Sequence, residues 1–113
     1  MIRKASVMKV FKGCHEEYRK RHDELWPEME QMLLEHGVLS YSIFLDEETD
    51  VLFAYLEIED EELWSKSADT AICRKWWEYM KDIMETNADH SPVSRELKDV
   101  FYLHSAAREE RAE

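Results

Sequence analysis

The spacing of apolar residues along the chain predicts alternating strands and helices. Residues 2–11 alternate apolar and polar side chains imperfectly, as a half-buried strand does, and Gly13 ends this stretch. Over residues 15–36, apolar and aromatic side chains recur every three or four positions, which predicts a helix. The stripe comprises Tyr18, His22, Leu25, Met29, Met32 and His36. Pro27 lies in the middle and removes a backbone hydrogen bond, so we expect a kink or a break into two helices there.

Two further strands are predicted after Gly37, at residues 38–45 and 51–58. The polar stretch between them is short enough for a hairpin, so the two strands should pair antiparallel. Four side chains of the first strand share one face, namely Leu39, Tyr41, Ile43 and Leu45. The second strand is apolar on both faces until Glu57, which is typical of a strand in the interior of a sheet.

The remaining pattern completes an alternation that defines the fold class. A helical region is predicted from Asp60, a good N-cap, with a restart at Asp69. Its core stripe comprises Ile72, Trp76, Tyr79 or Met80, and Ile83, with Trp77, Met80 and Met84 on an adjoining stripe. A last strand is expected at residues 97–103 and a charged, frayed tail at 105–113. The order β-α-β-β-α-β predicts an α+β, ferredoxin-like unit that forms a single domain over residues 1–104.

This fold places both helical regions on one face of the sheet and leaves the other face bare. Strands that are apolar on both sides cannot leave one face in water, so we expect a second copy of the chain to cover it in a homodimer. A curved sheet closed by helices can also keep a small cavity, where a ligand would bind.

Composition narrows the classes of partner and the compartment. The 113 residues carry 26 acidic and 15 basic side chains, a formal net charge of −11, while the hydrophobic content of 44% is that of a globular protein. Too few Lys and Arg are present for a broad basic surface, which argues against nucleic-acid or anionic-membrane partners. Neither a signal-peptide pattern nor a membrane-length apolar run is found, and Cys14 and Cys73 form no paired motif. We expect a soluble, cytoplasmic protein with free thiols.

His22 is the candidate for proton-transfer chemistry because it lies one helical turn after Tyr18 on an otherwise apolar stripe. Its ring can exchange a proton near neutral pH, and a neighbouring phenol can hold a substrate oxygen or orient the ring. An imidazole on an inner stripe can equally be a hydrogen-bonded core or interface residue. The other histidines are expected at the solvated surface, namely His15, His36, His90 and His104.

No metal or cofactor is expected from the motifs. His15 and His36 are each more than one helical turn from His22, too far to share an ion with it. Pairs of adjacent acidic residues lie where turns and helix starts are predicted. Contact with solvent and with helix dipoles explains these pairs better than the binding of a metal ion does. Dinucleotide, P-loop and serine-hydrolase motifs do not occur.

The adjacent pair Trp76 and Trp77 is the second candidate feature. Neighbouring residues on a helix point about 100° apart, so only one of them can lie deepest in a core. The two rings could form an apolar wall with N–H donors for a small ligand, or one could be core and the other dimer interface. Tyr41 could extend its phenol into the same cavity, or be an ordinary strand tyrosine.

Six segments in order and spacing resemble the L-rhamnose mutarotase family, over about residues 1–103. They are HEEY at 15–18, RH at 21–22, WPE at 26–28, YSIFLD at 41–46, RKWWEYM at 74–80 and SPVS at 91–94. The resemblance implies a dimeric α/β barrel that interconverts the α and β anomers of L-rhamnose, a small neutral monosaccharide, without a cofactor. It further implies that His22 is the proton donor and that four residues bind the sugar, namely Tyr18, Tyr41, Trp76 and Trp77.

The chain departs from the family pattern at two positions. Asp23-Glu24 stands where relatives carry Asn-Pro, and the extra carboxylate could raise the pKa of His22 or face solvent. Phe44 stands where a tyrosine is often found. The sequence leaves open which group is the general base and which sugar oxygen His22 protonates. A dimeric α/β-barrel oxygenase or haem-binding module shares the same element pattern. A third alternative is a sugar-binding or interaction protein without catalysis, in which Trp76 and Trp77 form an adhesive patch.

Overall fold

The computed structural model describes residues 1–105, so most of the predicted tail, residues 106–113, lies outside the described part of the chain. The elements follow in the order β1 Ile2–Lys9, α1 His15–Asp23, α2 Pro27–Glu35, β2 Val38–Asp46, β3 Val51–Ile58, α3 Glu61–Ser65, α4 Ala71–Met80 and β4 Arg95–Glu96. A short 3-10 turn, Ser67–Asp69, joins α3 to α4. No helix among residues 1–105 is long and apolar enough to cross a bilayer.

The strands form one antiparallel sheet with the order β2-β3-β1-β4. Because β3 lies between β2 and β1, the prediction of an interior strand is confirmed. Alternate side chains of β3 are buried on the side of the helices, namely Leu52, Ala54, Leu56 and Ile58. Leu52 packs with residues of α2 and α4 in one core that includes Met29, Met32 and Trp76. The predicted α+β, ferredoxin-like unit is therefore confirmed.

The predicted long helix is broken at Pro27. Helix α1 ends at Asp23, and α2 begins with Pro27 as its first residue. A proline fits this position because the first helical N–H has no partner within the helix. Trp26 before it is extended, with φ −60° and ψ 134°, as steric contact with the proline ring requires.

The face pattern of β2 holds for three of its four predicted residues. Tyr41, Ile43 and Leu45 pair with Leu56, Ala54 and Leu52, and so share the buried face of the sheet. The pairing register shifts between Val38 and Ser40, and Leu39 at this irregularity is 52% exposed. The prediction that Leu39 shares one face with Tyr41, Ile43 and Leu45 was therefore wrong, because a strand irregularity interrupts the two-residue period.

The last strand is the largest correction. Only Arg95–Glu96 pairs with β1, opposite Val7 and Ser6, whereas residues 97–103 form no regular element. Val100, Phe101 and Leu103 are 87%, 77% and 79% exposed. Apolar and aromatic residues favour a strand only where their backbone also forms hydrogen bonds with a partner strand. Beyond β4, a hydrogen bond from Leu97 N to Ala5 O continues the pairing with β1.

Helix α4 begins one residue later than predicted, and the structure shows which of two alternative residues is buried on its core face. The side chain of Thr70, not Asp69, caps it by accepting a hydrogen bond from Cys73 N at 3.3 Å. The predicted cap at Asp60 is confirmed, since its carboxylate accepts from Leu63 N at 2.8 Å. Between the two alternatives on the core stripe, Met80 is buried and Tyr79 is 40% exposed.

Candidate active site

A cleft of about 1150 Å³ lies on the helix-covered side of the sheet. Its walls come from the sheet and from α1, α2 and α4, and apolar side chains such as Met29, Leu52 and Met80 dominate them. The five residues predicted for the site all line this cleft, namely Tyr18, His22, Tyr41, Trp76 and Trp77. The fold thus brings together residues of α1, β2 and α4 that are far apart in the chain.

His22 lies in the last turn of α1, with its ring packed between two aromatic side chains. The ring stacks on Tyr18 with centroids 4.3 Å apart and meets Trp76 edge to face at 5.4 Å. Burial lowers the pKa of His22 below its ordinary value of 6.5, although the hydrogen bond to Tyr18 and the charge of Asp23 act in the opposite direction. The ring is therefore neutral at pH 7. The carboxylate of Asp23 pairs with Arg19 at 3.3 Å and is largely exposed, so it does not reverse this direction.

The hydrogen bonds of His22 fix which nitrogen carries the proton. Nδ1 lies 3.0 Å from the carbonyl oxygen of Tyr18, and since a carbonyl only accepts, Nδ1 is the protonated nitrogen. Within residues 1–105, Nε2 has no hydrogen-bond partner. Every fully buried side-chain nitrogen in this part of the chain has a partner, so Nε2 is not fully buried. Nε2 is consequently an unprotonated acceptor that opens onto the cleft.

The two tyrosines contribute protonated phenols. Tyr18 is 8% exposed, and burial, with the nearby phenol of Tyr41, raises its pKa well above 10. Tyr41 is 42% exposed, but it projects from the buried face of the sheet and lines the cleft, where desolvation and then Cys73 raise its pKa. Neither phenol ionises near neutral pH, so both can donate hydrogen bonds to a ligand oxygen.

The tryptophan pair separates into a core residue and a wall residue. Trp76 is 7% exposed and packs edge to face against Trp26 at 5.0 Å as well as against His22. Trp77 is half-buried at the margin of the core and lines the cleft. One ring is therefore fixed by packing, and the other presents more of its surface to a ligand.

Sequence reasoning missed a histidine at the edge of the cleft. His15 lines the cleft, and its Nε2 lies 2.7 Å from the carboxylate of Asp50. The side chains are 27% and 20% exposed, so the expectation of a solvated His15 was wrong. His36 and His90 are also half-buried, whereas His104 is exposed as expected. No local sequence signal could reveal the contact between His15 and Asp50, because the two residues are 35 positions apart.

Cys73 is a further residue of the cleft that the motifs did not indicate. It is 6% exposed, and burial raises the pKa of its thiol to about 11, so it stays protonated. Cys14 and Cys73 form no disulfide. Among residues 1–105, no group of three or more His, Cys, Asp or Glu side chains is placed to hold a metal ion.

The match to known proteins extends along nearly all of the described chain. A sequence model of the L-rhamnose mutarotase family matches residues 3–103. The chain belongs to the L-rhamnose mutarotase family. The L-rhamnose mutarotase of Lachnoclostridium phytofermentans is 61% identical over 103 residues, which cover 91% of this chain and 99% of that protein. The L-rhamnose mutarotase of Bacillus subtilis is 60% identical over the same coverage.

Solved structures support the same family assignment. The crystal structure of an L-rhamnose mutarotase from Formosa agariphila has a TM-score of 0.85 and 46% identity, and covers 92% of this chain and 100% of that one. A putative antibiotic biosynthesis monooxygenase from Nitrosomonas europaea has a TM-score of 0.60 at 14% identity, covering 84% of each chain. At 14% identity, the similarity to the monooxygenase shows a shared fold alone. The similarity to the Formosa agariphila mutarotase shows that the chain resembles a member of the family in structure as well as in sequence.

Proposed function

We propose that this chain interconverts the α and β anomers of L-rhamnose, with His22 as the catalytic proton-transfer residue. Membership of the L-rhamnose mutarotase family supports the reaction and the substrate. The observation that supports the residue is the unprotonated Nε2 of a half-buried imidazole that opens onto an apolar cleft. A neutral sugar fits this site because its hydroxyls can meet the tyrosines and its C–H surface can lie against the tryptophans.

The tautomer of His22 gives the order of proton transfers. Nε2 first takes the proton of the anomeric hydroxyl, because the neutral ring has Nδ1 protonated. The imidazolium then gives this proton to the ring oxygen as the bond from the anomeric carbon to that oxygen breaks, leaving an open-chain aldehyde. Both oxygens are bonded to the same carbon, so one imidazole can reach each in turn. Rotation of the aldehyde and the reverse transfers close the ring in the other anomer, and His22 acts as a proton donor in the second transfer of each direction.

Tyr18 and Tyr41 bind the sugar rather than exchange protons with it. A phenol whose pKa is raised is a weaker acid, and its conjugate base is absent at neutral pH. Both residues therefore donate hydrogen bonds to sugar oxygens while staying protonated. Trp76 and Trp77 provide the apolar wall for the C–H face and the methyl group.

The bare face of the sheet supports a homodimer. Phe44, Phe53 and Val7 stand opposite one another on adjacent strands, on the side away from the helices. Phe44 is 67% and Phe53 is 42% exposed, so an apolar row crosses three strands and is left exposed by residues 1–105. A second copy that packs the same face against this row forms a closed symmetric interface, the dimeric barrel that the family resemblance implies. The single domain over residues 1–104 and the cytoplasmic location stay predictions.

The decisive experiment measures anomer exchange of L-rhamnose by saturation-transfer NMR. The wild type should transfer saturation between the two anomeric protons faster than buffer alone, and His22→Gln should lower the rate by about 10²–10⁴-fold. His36→Gln is the matched control, since His36 also bonds the carbonyl of the residue four before it, Met32, at 2.7 Å. Its ring is not part of the cleft wall, so its rate should equal that of the wild type.

Two other outcomes would replace the proposal. Binding of L-rhamnose in calorimetry with exchange at the buffer rate would indicate a sugar-binding protein without catalysis. A haem absorbance band after mixing the purified protein with haem, again without exchange, would indicate the barrel-type haem or oxygenase alternative. Equal loss of exchange in the His22 and His36 variants would contradict the assignment of His22.

A further inference from the structure

Arg21, the neighbour of His22 in α1, is held by an unusually complete set of partners. Its guanidinium donates to both carboxylate oxygens of Asp82 at 2.9 and 3.2 Å and to the carbonyl oxygen of Tyr79 at 2.6 Å. Its Nε donates to Glu17 at 2.8 Å, and its planar group lies 4.4 Å from the ring centroid of Tyr79. The side chain is 11% exposed although it is fully charged. We call Arg21, Tyr79 and Asp82 the arginine clamp.

The arginine clamp joins the two helices that carry the proposed catalytic and binding groups. Arg21 precedes His22 at the end of α1, while Tyr79 and Asp82 lie at and just beyond the last turn of α4, which carries Trp76. Tyr79 also packs on Trp26 at 5.1 Å and on Trp76 at 5.6 Å. A contact network therefore runs from the guanidinium through the aromatic rings to the face of His22.

Apolar packing alone fixes the orientation of α1 weakly. Among its residues, all of which the structure describes, Tyr18 alone is buried. Nothing else on this polar helix supplies a large apolar anchor near its C-terminal end, where His22 lies. The bidentate ion pair and the backbone bond from Arg21 supply the missing restraint, with an angular precision that a single ammonium contact does not provide.

We infer that the arginine clamp is a positioning device, which holds the end of α1 against α4 so that Nε2 of His22 meets a sugar held at Trp76. This inference rests on the proposed function of His22. Arg21 itself does not line the cleft. The hydrogen bonds with Arg21 also lower the pKa of Asp82, so the ion pair stays intact at neutral pH.

Two variants test the arginine clamp, and both are followed by two readouts. Arg21→Lys keeps the charge but loses the fork, and Asp82→Asn removes the charge of a side chain that is 64% exposed, so it disturbs the fold little. Each should lower kcat of anomer exchange roughly tenfold with little change in KM, because the binding groups remain while the imidazole is displaced. Asp82→Glu keeps a carboxylate at this position, so its kcat should fall less than that of Asp82→Asn.

The second readout does not depend on activity. The ring protons of His22 carry ring-current shifts from Tyr18 and Trp76, and both clamp variants should move these resonances. Arg74→Lys is the control, because Arg74 lies on α4, is 54% exposed and contacts Asp69 at 3.5 Å. Its kcat and its His22 resonances should match the wild type.

The two readouts separate failure of the inference from failure of the proposed function. Wild-type kcat in both Arg21→Lys and Asp82→Asn would overturn the positioning role, with or without a change in the His22 resonances. If the wild type itself does not accelerate exchange, the proposed function fails. Unmoved His22 resonances in both variants would then overturn the arginine clamp independently.

Discussion

His22 donates a hydrogen bond from Nδ1 to the carbonyl oxygen of Tyr18, one helical turn earlier, at 3.0 Å. The bond ties the ring to the backbone of its own helix, using the second lone pair of a carbonyl inside α1, and so it fixes the orientation of the imidazole. It also leaves Nε2 as the only basic site of the ring. In the proposed mechanism, this single local contact therefore makes His22 the proton acceptor of the first step.

The rate of anomer exchange should fall as the solution is made acidic. Since burial lowers the pKa of His22 below 6.5, the ring is neutral and active throughout the neutral range and becomes protonated only at lower pH. The profile of kcat/KM, measured by exchange NMR, should be flat above pH 6.5 and decline below it. An apparent pKa above 6.5 for the rise in activity would contradict this prediction.

The same group links stability to pH. The unfolded chain binds a proton at His22 near pH 6.5, whereas the folded chain binds it only at lower pH, so acidification favours unfolding through this interval. Urea titrations of the wild type at several pH values measure this loss of stability on acidification. His22→Gln is the control, because the contribution of His22 to the pH dependence should be absent in the variant.

Removing either phenol should weaken sugar binding more than it slows the chemical step. Tyr18→Phe and Tyr41→Phe each delete one hydrogen-bond donor to the sugar, a loss of about 1–1.5 kcal/mol, so KM should rise roughly tenfold. Calorimetry and exchange kinetics measure the two effects. Tyr102→Phe is the control, since this residue is 43% exposed and keeps its ring contact with Arg3. A fall in kcat with unchanged KM would instead indicate that the phenols take part in proton transfer.

The two tryptophans should separate stability from binding. Trp76→Ala removes a ring that is 7% exposed in the core and should lower the free energy of unfolding by about 3–5 kcal/mol. Trp77→Ala removes a half-buried ring and should lower it less, while weakening the binding of L-rhamnose. Urea denaturation and calorimetry on both variants test this division, and equal losses of stability would refute it.

Gly37 should resist substitution because of its backbone. Its φ of +85° lies in the left-handed region, and an added Cβ would lie 3.4 Å from a methyl group of Leu63. Gly13 has φ +86° with nothing within 4 Å of an added Cβ, so it isolates the backbone effect. Gly13→Ala and Gly37→Ala should each destabilise the fold by about 1 kcal/mol, with Gly37→Ala slightly the worse. Urea midpoints unchanged from the wild type would show that neither turn needs glycine.

A charge on the bare sheet face should dissociate the proposed dimer. Phe53→Lys places an ammonium group in the middle of the apolar row, where pairing with a second copy would bury it without a partner. Sedimentation should give a dimer for the wild type and a monomer for this variant. Leu34→Lys is the control, since Leu34 is 58% exposed on α2, and it should remain dimeric. A monomeric wild type would exclude the proposed homodimer.

Much of the fold could be predicted because several residues constrain their own backbone. Pro27 lacks an N–H and restricts Trp26, so a helix had to begin there. The side chain of Asp60 caps the helix that follows it. The prediction of a strand at residues 97–103 was wrong. These residues satisfy the strand pattern, yet the hydrogen bonding of β4 to β1 continues only as far as Leu97.

The candidate site was predictable only in part. The stripe from Tyr18 to His22 and the pair Trp76 and Trp77 show side chains of suitable chemistry, and family motifs associate them. The contact of His15 with Asp50 had no counterpart in any pattern, because it depends on where the hairpin between β2 and β3 lies against α1.

Local periodicity, together with the backbone restrictions of proline and glycine, was enough to determine the order of the main elements, the helix break and three of the four residues predicted to share one face of β2. Only the tertiary structure decided that Nε2 of His22 opens onto the cleft beside Trp76, and that Arg21 joins Asp82 across 61 positions. The physical reason is that periodicity reports which side of an element is apolar, whereas proton transfer depends on distances between elements, which the packing of α1 against α4 sets.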